Sequence, residues 1–195
     1  MARPADPRTL PDVVAAAHRR ANEADFALSC EPGVGRLLAA LAAAVPANGR
    51  ILETGTGVGT GCAWIVHGLS GRTDVEVISV EIDPDTAALA AKADWPAFVS
   101  LRTGDVLGLY GSIGSFDLIF ADSPGGKWDG LDQTISALKE GSALLVDDMD
   151  PPSWMNDEHR EKTGVVRETL LSHPDLVTAE LAEASGMIVA VKRRA

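Results

Sequence analysis

Five short runs of nearly unbroken apolar residues recur along the chain: RILET at 50–54, VEVISVE at 75–81, FVSLRT at 98–103, FDLIFAD at 116–122 and SALLVDD at 142–148. Between most of them stand stretches whose apolar residues fall at helical spacing, at 59–69, 86–93 and 131–139. A strand that is apolar on both faces is stable only inside a sheet covered on both sides, and a parallel sheet with helical crossovers supplies that cover. The alternation therefore predicts an α/β fold with a doubly wound, mostly parallel sheet. Two further helices, at 11–24 and 33–45, precede the first strand, and Pro46 stops the second of them. After a helix at 158–172, the runs LVTAELAE and GMIVAVKR, separated by Ala184 and Ser185, read as an antiparallel hairpin turning near Gly186. That makes seven strands. A chain of 195 residues suits one domain, read here as a helical cap at 1–48 on a core at 49–195.

Composition narrows the function. With 46% apolar and 23% charged residues the chain can bury a core, and its formal charge of −11 opposes binding to nucleic acid. The longest apolar run, between Arg36 and Pro46, is about half of what a membrane span needs. No export signal is legible at the start, and the expectation is a cytoplasmic protein that engages neither nucleic acid nor membrane. Cys30 and Cys62 form no CxxC pair and no disulfide framework, so both read as buried spectators.

In open α/β sheets, ligands bind beyond the carboxyl ends of the strands, at the point where the topology reverses. Those ends carry Glu53, then Glu81 and Asp83, Asp105, Asp122, and the pair Asp147 and Asp148. After the first strand runs ETGTGVGTG, with Gly55, Gly57, Gly59 and Gly61 at every second position. A dinucleotide fingerprint needs G-x-G-x-x-G, but the third glycine falls on Thr60 in one register and on Cys62 in the other. Glu53, two residues before the loop, would also repel a pyrophosphate and attract a cation. GGKW at 125–128 is no phosphate-binding loop either, since Ala121 stands where the first glycine belongs and Trp128 replaces the Ser or Thr. A nucleoside joined to a zwitterionic amino acid through a sulfonium, which is S-adenosylmethionine, matches the loop better than NAD does.

These residues resemble the class I S-adenosylmethionine-dependent methyltransferases, whose first motif is an acidic residue followed by G-x-G-x-G, here Glu53, Gly55, Thr56, Gly57 and Gly59. VISVEIDPD is similar to the second motif, which makes Glu81 the carboxylate for the ribose hydroxyls, with Ile82 beside it and Asp83 as a reserve candidate. Asp83 precedes Pro84 and reads equally well as a helix cap. RTGDV resembles the adenine-reading segment, which implies Gly104, Asp105 and Val106. The resemblance covers 50 to the C-terminus and implies a Rossmann-like methyltransferase fold and a homodimer.

FDLIFADSPGGKW followed by SALLVDDM further resembles the catechol-type O-methyltransferases. That implies methyl transfer to the hydroxyl of a small-molecule acceptor, with Asp122, Asp147 and Asp148 as ligands of a magnesium ion. A divalent ion on hard oxygen ligands lowers the pKa of a hydroxyl and orients it. Asp148 stands where the family has Asn, and Lys127 follows Asp122 by five residues where the family's Lys follows by three. Asp122 and Lys127 are the candidate catalytic residues: Lys127 is a general base, an anchor for an anionic substrate, or a solvated loop lysine. Trp154 is read either as a cover for a flat substrate or as packing, His159 either as an acid or base or as part of a solvated helix start, and 26–32 as acceptor lining. Two other classes compete, a nicotinamide-dependent oxidoreductase on the same sheet and a non-catalytic domain that binds S-adenosylmethionine.

Overall fold

The computed structural model describes residues 9–150 and 156–194. In chain order the elements are α1 (Asp12–Glu23), α2 (Pro32–Ala44), β1 (Arg50–Thr54), α3 (Thr60–Leu69), β2 (Glu76–Glu81), α4 (Pro84–Ala90), β3 (Val99–Thr103), α5 (Val106–Ile113), β4 (Phe116–Ala121), the turn α6 (Pro124–Lys127), α7 (Leu131–Ser136), β5 (Leu138–Val146), α8 (Asp157–Ser172), β6 (Leu176–Leu181) and β7 (Met187–Lys192). The strands form one sheet in the order β3-β2-β1-β4-β5-β7-β6. β1 through β5 run parallel, while β7 pairs antiparallel with both β5 and β6. This is the doubly wound, seven-stranded sheet with a terminal antiparallel hairpin that the alternation predicts. The winding reverses between β1 and β4, which are direct neighbours.

Burial on both faces is visible residue by residue. Ile51, Leu118, Phe120 and Leu145 enter a core shared with α1, α2 and α3, while Leu52, Ile119, Leu144 and Val146 enter one shared with α5, α7 and α8. Successive strand side chains point to opposite faces, so each strand feeds both layers. The first two helices belong to the first core: Val14, Ala17, Val34 and Leu38 are fully buried there, beside Cys62, Trp64 and Ile65 of α3. Cys30 and Cys62 are free and buried. Among the described residues no helix is long and apolar enough to cross a membrane.

The structure departs from the sequence reading at four elements. The helix expected at 131–139 ends at Ser136, because Leu138 already pairs with Phe116 and β5 begins four residues earlier than SALLV suggests. A register shift between Phe116 and Leu118 and a left-handed Gly141 (φ 76°) absorb the extra length. The helix expected at 86–93 starts at Pro84, where proline suits the first turn and Asp83 caps it. α5 went unread, because the two glycines in VLGLYGSI weaken its helical signal.

Candidate active site

The carboxyl ends of the parallel strands are laced together before any side chain acts. Gly55 and Thr56 donate their N–H groups to the Val80 carbonyl, Gly104 N–H donates to Glu81 O, and Asp122 N–H to Thr54 O, all at 2.8–3.1 Å. Gly55 adopts φ 93°, and a Cβ there would sit 2.3 Å from the Asp122 carbonyl, so the crossing of β1 and β4 admits only glycine. Above this lacing opens a cleft of about 180 Å³, lined by Thr54, Gly55, Val80, Glu81, Ile82, Gly104, Asp105, Val106 and the turn Ser123–Pro124–Gly125.

Six of the expected cofactor residues line this cleft: Gly55, Glu81, Ile82, Gly104, Asp105 and Val106. Glu81 accepts from Gly57 N–H at 2.8 Å and from Asp83 N–H at 3.0 Å, which fixes its carboxylate at the rim. Ile82 is 68% exposed there, an apolar side chain left uncovered beside a polar rim. Asp105 also accepts from Leu107 N–H and so caps α5. Asp83 is absent from the lining. Its carboxylate accepts from Thr86 N–H at 2.7 Å, and that bond lowers its pKa, as the capping alternative expects.

Glu53 and Thr56 are placed differently from the expectation. Glu53 is fully buried beneath the loop, where Ser79 Oγ donates to its Oε2 and Thr56 Oγ1 meets Ser79 Oγ at 2.6 Å. Its Oε1 is buried and lies close to where a Cβ on Gly61 would stand. Burial, with the Glu81 charge adding to it, pushes the Glu53 carboxyl up to about 8. Glu53 thus lies beneath the glycines, hydrogen-bonded to Ser79, and does not line the cleft.

Next to the cleft lies a second cluster. Lys127 is only 3% exposed, which removes the solvated-loop alternative. Its Nζ donates to the Asp147 carbonyl at 3.2 Å and meets Asp148 Oδ2 at 3.4 Å. The turn before it makes this possible. Left-handed Gly126 (φ 87°) donates to Asp129 O, and its own carbonyl accepts from Thr134 Oγ1, which also meets the Tyr110 hydroxyl at 2.5 Å. The residues between Asp122 and Lys127 thus fold back and turn the lysine inward. Asp147 Oδ1 accepts from Asp148 N–H and from Ser185 Oγ, both at 2.7 Å, so the β6–β7 turn anchors the end of β5. Burial and then Asp148 push Asp147 up to about 6, and burial and then Asp147 push Asp122 well above the carboxylate range.

A divalent ion is chemically suited to this cluster, because three hard carboxylates repel one another there and Lys127 meets the side chain of only one. Among the described residues no three His, Cys, Asp or Glu side chains are already grouped as metal ligands. The three aspartates converge electrostatically without forming a finished cage. His159 packs edge-on against Trp128, with ring centroids 4.4 Å apart, and burial, aided by Lys127, lowers its pKa. Trp154 lies outside the described residues. Sequence reasoning missed Ser123, Pro124 and Gly125 as lining. The signal was their small size and their place directly after β4. It also missed Arg20 of α1, which donates from Nε to the Val58 carbonyl at 2.7 Å and which nothing local to α1 advertises.

The family model described as a methyltransferase domain matches residues 52–149, half of the chain, and the chain belongs to that family. An O-methyltransferase by name from Mycobacterium sp. (strain KMS) is 30% identical over 148 residues, a match that spans 69% of this chain and 63% of that relative. Among solved structures, the O-methyltransferase TomG from Streptomyces achromogenes in complex with SAM superposes with a TM-score of 0.78 at 20% identity, over 95% of this chain and 92% of that one. The O-methyltransferase from Bacillus cereus in complex with SAH gives 0.80 at 22%, over 95% and 93%. Both share the fold.

Proposed function

We propose that this chain transfers a methyl group from S-adenosylmethionine to the hydroxyl oxygen of a small-molecule acceptor. The observation that carries the reading is the cleft at the topological switch, where Gly55 brings bare backbone to one wall while Glu81 and Asp105 present carboxylates at the other. Those groups suit ribose hydroxyls and an adenine amino group, and among the described residues no Lys or Arg lines the cleft. The relatives bearing O-methyltransferase names support the same reading.

In this reaction the acceptor oxygen attacks the methyl carbon in line with the departing sulfur. The C–S bond breaks with its electrons going to sulfur, S-adenosylhomocysteine leaves, and the hydroxyl proton passes to a base. Lys127, held inward beside Asp147 and Asp148 and electrostatically close to Asp122, steadies the developing oxyanion as an ammonium or, once it has shed its own proton, takes that of the hydroxyl. Asp122, Asp147 and Asp148 would hold a magnesium ion, which when bound polarises the acceptor hydroxyl. A homodimer is part of the same reading and is checked by sedimentation.

Titration with S-adenosylhomocysteine, followed by transfer of labelled methyl from S-adenosylmethionine across a panel of phenols, tests the proposal. Micromolar binding and a methylated phenol are expected. Absence of binding at millimolar ligand sinks the reading, whereas binding without transfer to any acceptor leaves only a cofactor-binding domain. Loss of turnover in EDTA, restored by magnesium, supports the metal, and unchanged turnover removes it.

A further inference from the structure

Three carboxylates at one strand edge need a counter-charge of their own, and Lys127 carries it to them. The Lys127 side chain is 4% exposed and that of Asp148 is 40% exposed, so the pair joins an enclosed ammonium to a carboxylate that still faces solvent. Nζ donates to the Asp147 carbonyl at 3.2 Å and lies 3.4 Å from Asp148 Oδ2. Both acceptors come from one turn at the end of β5. Asp148 is left-handed there, with φ 56°, and its N–H is tied to Asp147 Oδ1 at 2.7 Å. The lysine's charge also acts on Asp122 and Asp147, against the repulsion among the three aspartates.

The pairing is loose. A tight bond between an ammonium and a carboxylate is about 2.7–2.9 Å long, so the 3.4 Å contact to Asp148 is one that another cation can displace. A divalent ion takes carboxylate oxygens at roughly 2–2.6 Å. Asp148 cannot serve such an ion and keep the ammonium beside it, because the two cations repel where Lys127 is shielded from water. Asp148 also stands where the resemblance puts Asn, whose neutral side chain forms no ion pair with a lysine. Resting on the reading of Asp122, Asp147 and Asp148 as ligands of a divalent ion, we propose that Lys127 is their built-in counter-cation and competes with that ion for Asp148. Ion binding breaks the pair between Lys127 and Asp148 and leaves the amine free for the acceptor oxygen.

Mn²⁺ alone, titrated into the full-length protein without donor or acceptor and followed by the loss of its free electron-spin resonance signal, reads the competition apart from turnover. Lys127→Met is expected to bind Mn²⁺ roughly 10- to 100-fold more tightly than the wild type. Lys127→Arg, which keeps the charge, is expected to bind like the wild type. Lys162→Met, which removes a lysine paired with Glu158 instead, is expected to change nothing. Equal or weaker binding in Lys127→Met overturns the proposal, while binding by the wild type still upholds the ion. A gain in Lys162→Met or Lys127→Arg as large as that in Lys127→Met overturns it too, since the effect is then not competition by this charge at Asp148. Should Lys127→Met lose its cooperative melt, Lys127→Gln is read by the same criteria. Mn²⁺ binding by none of these proteins at millimolar concentration removes the ion and this proposal together, and a parallel titration with S-adenosylhomocysteine shows whether the donor reading stands.

Discussion

A carboxyl group without solvent contact, such as Glu53, ties proton uptake to folding. Its pKa is about 4.5 when unfolded and about 8 when folded, so below the lower value both states hold the proton and its contribution is fully present. Between the two the unfolded chain loses the proton first, stability falls as pH rises, and above about 8 the contribution is gone. At ~1.4 kcal/mol per pKa unit, the fall is on the order of 5 kcal/mol. Asp147 acts in the same direction at lower pH, between 3.8 and about 6. Urea denaturation at pH 5 and pH 8 is expected to show a clear loss of stability in the wild type and a smaller one in Glu53→Gln; equal losses would contradict the buried carboxyl. Lys127→Met addresses the chemistry, with turnover expected to drop roughly 100-fold, as for loss of a general acid–base group, while binding of S-adenosylhomocysteine is unchanged. Both residues were legible as candidates, Glu53 from its place before the glycine loop and Lys127 from the resemblance. Their orientation was not, because spacing along a loop does not say whether a side chain turns under it or out of it.

Elements decide which of several strand-end acids remain available to a ligand. Asp83 and Asp105 each accept from an N–H two or three residues on and so close the first turn of a helix, but only Asp105 also lines the cleft. Asp83→Ala is expected to lower the melting temperature and leave S-adenosylhomocysteine affinity unchanged, whereas a loss of affinity would move Asp83 into the site. Gly55→Ala is expected to do the opposite of a silent loop change: the clash with the Asp122 carbonyl forces β1 and β4 apart, which costs more than about 2 kcal/mol and abolishes binding. Thermal melts with and without S-adenosylhomocysteine check both. The ambiguity at Asp83 is visible in IDPDT, since an acid before proline suits a cap or a ligand equally well. α5, whose helical signal its two glycines weaken, is capped by the same residue that the resemblance assigns to adenine.

For the molecule as a whole, α1 and α2 are inseparable from the core beneath them. Val14, Ala17, Val34 and Leu38 cover Cys62, Trp64 and Ile65, and α1 also delivers Arg20 to the glycine loop. A chain lacking 9–44 is therefore expected to lose its cooperative thermal transition along with its affinity for the donor; a folded truncated chain would show that these helices are an appendage.

The amino-acid sequence by itself determined the sheet, its parallel centre and antiparallel hairpin, and the edge where ligands gather. Local periodicity and glycine spacing depend on neighbours a few residues apart. Only the tertiary structure decided that Glu53 is buried beneath the loop, that Lys127 is buried against β5, that the hairpin turn holds Asp147 through Ser185, and that Arg20 reaches Val58 across 38 positions. A side chain's charge state and aim depend on desolvation and on partners distant in the chain, and these exist only once the layers have packed.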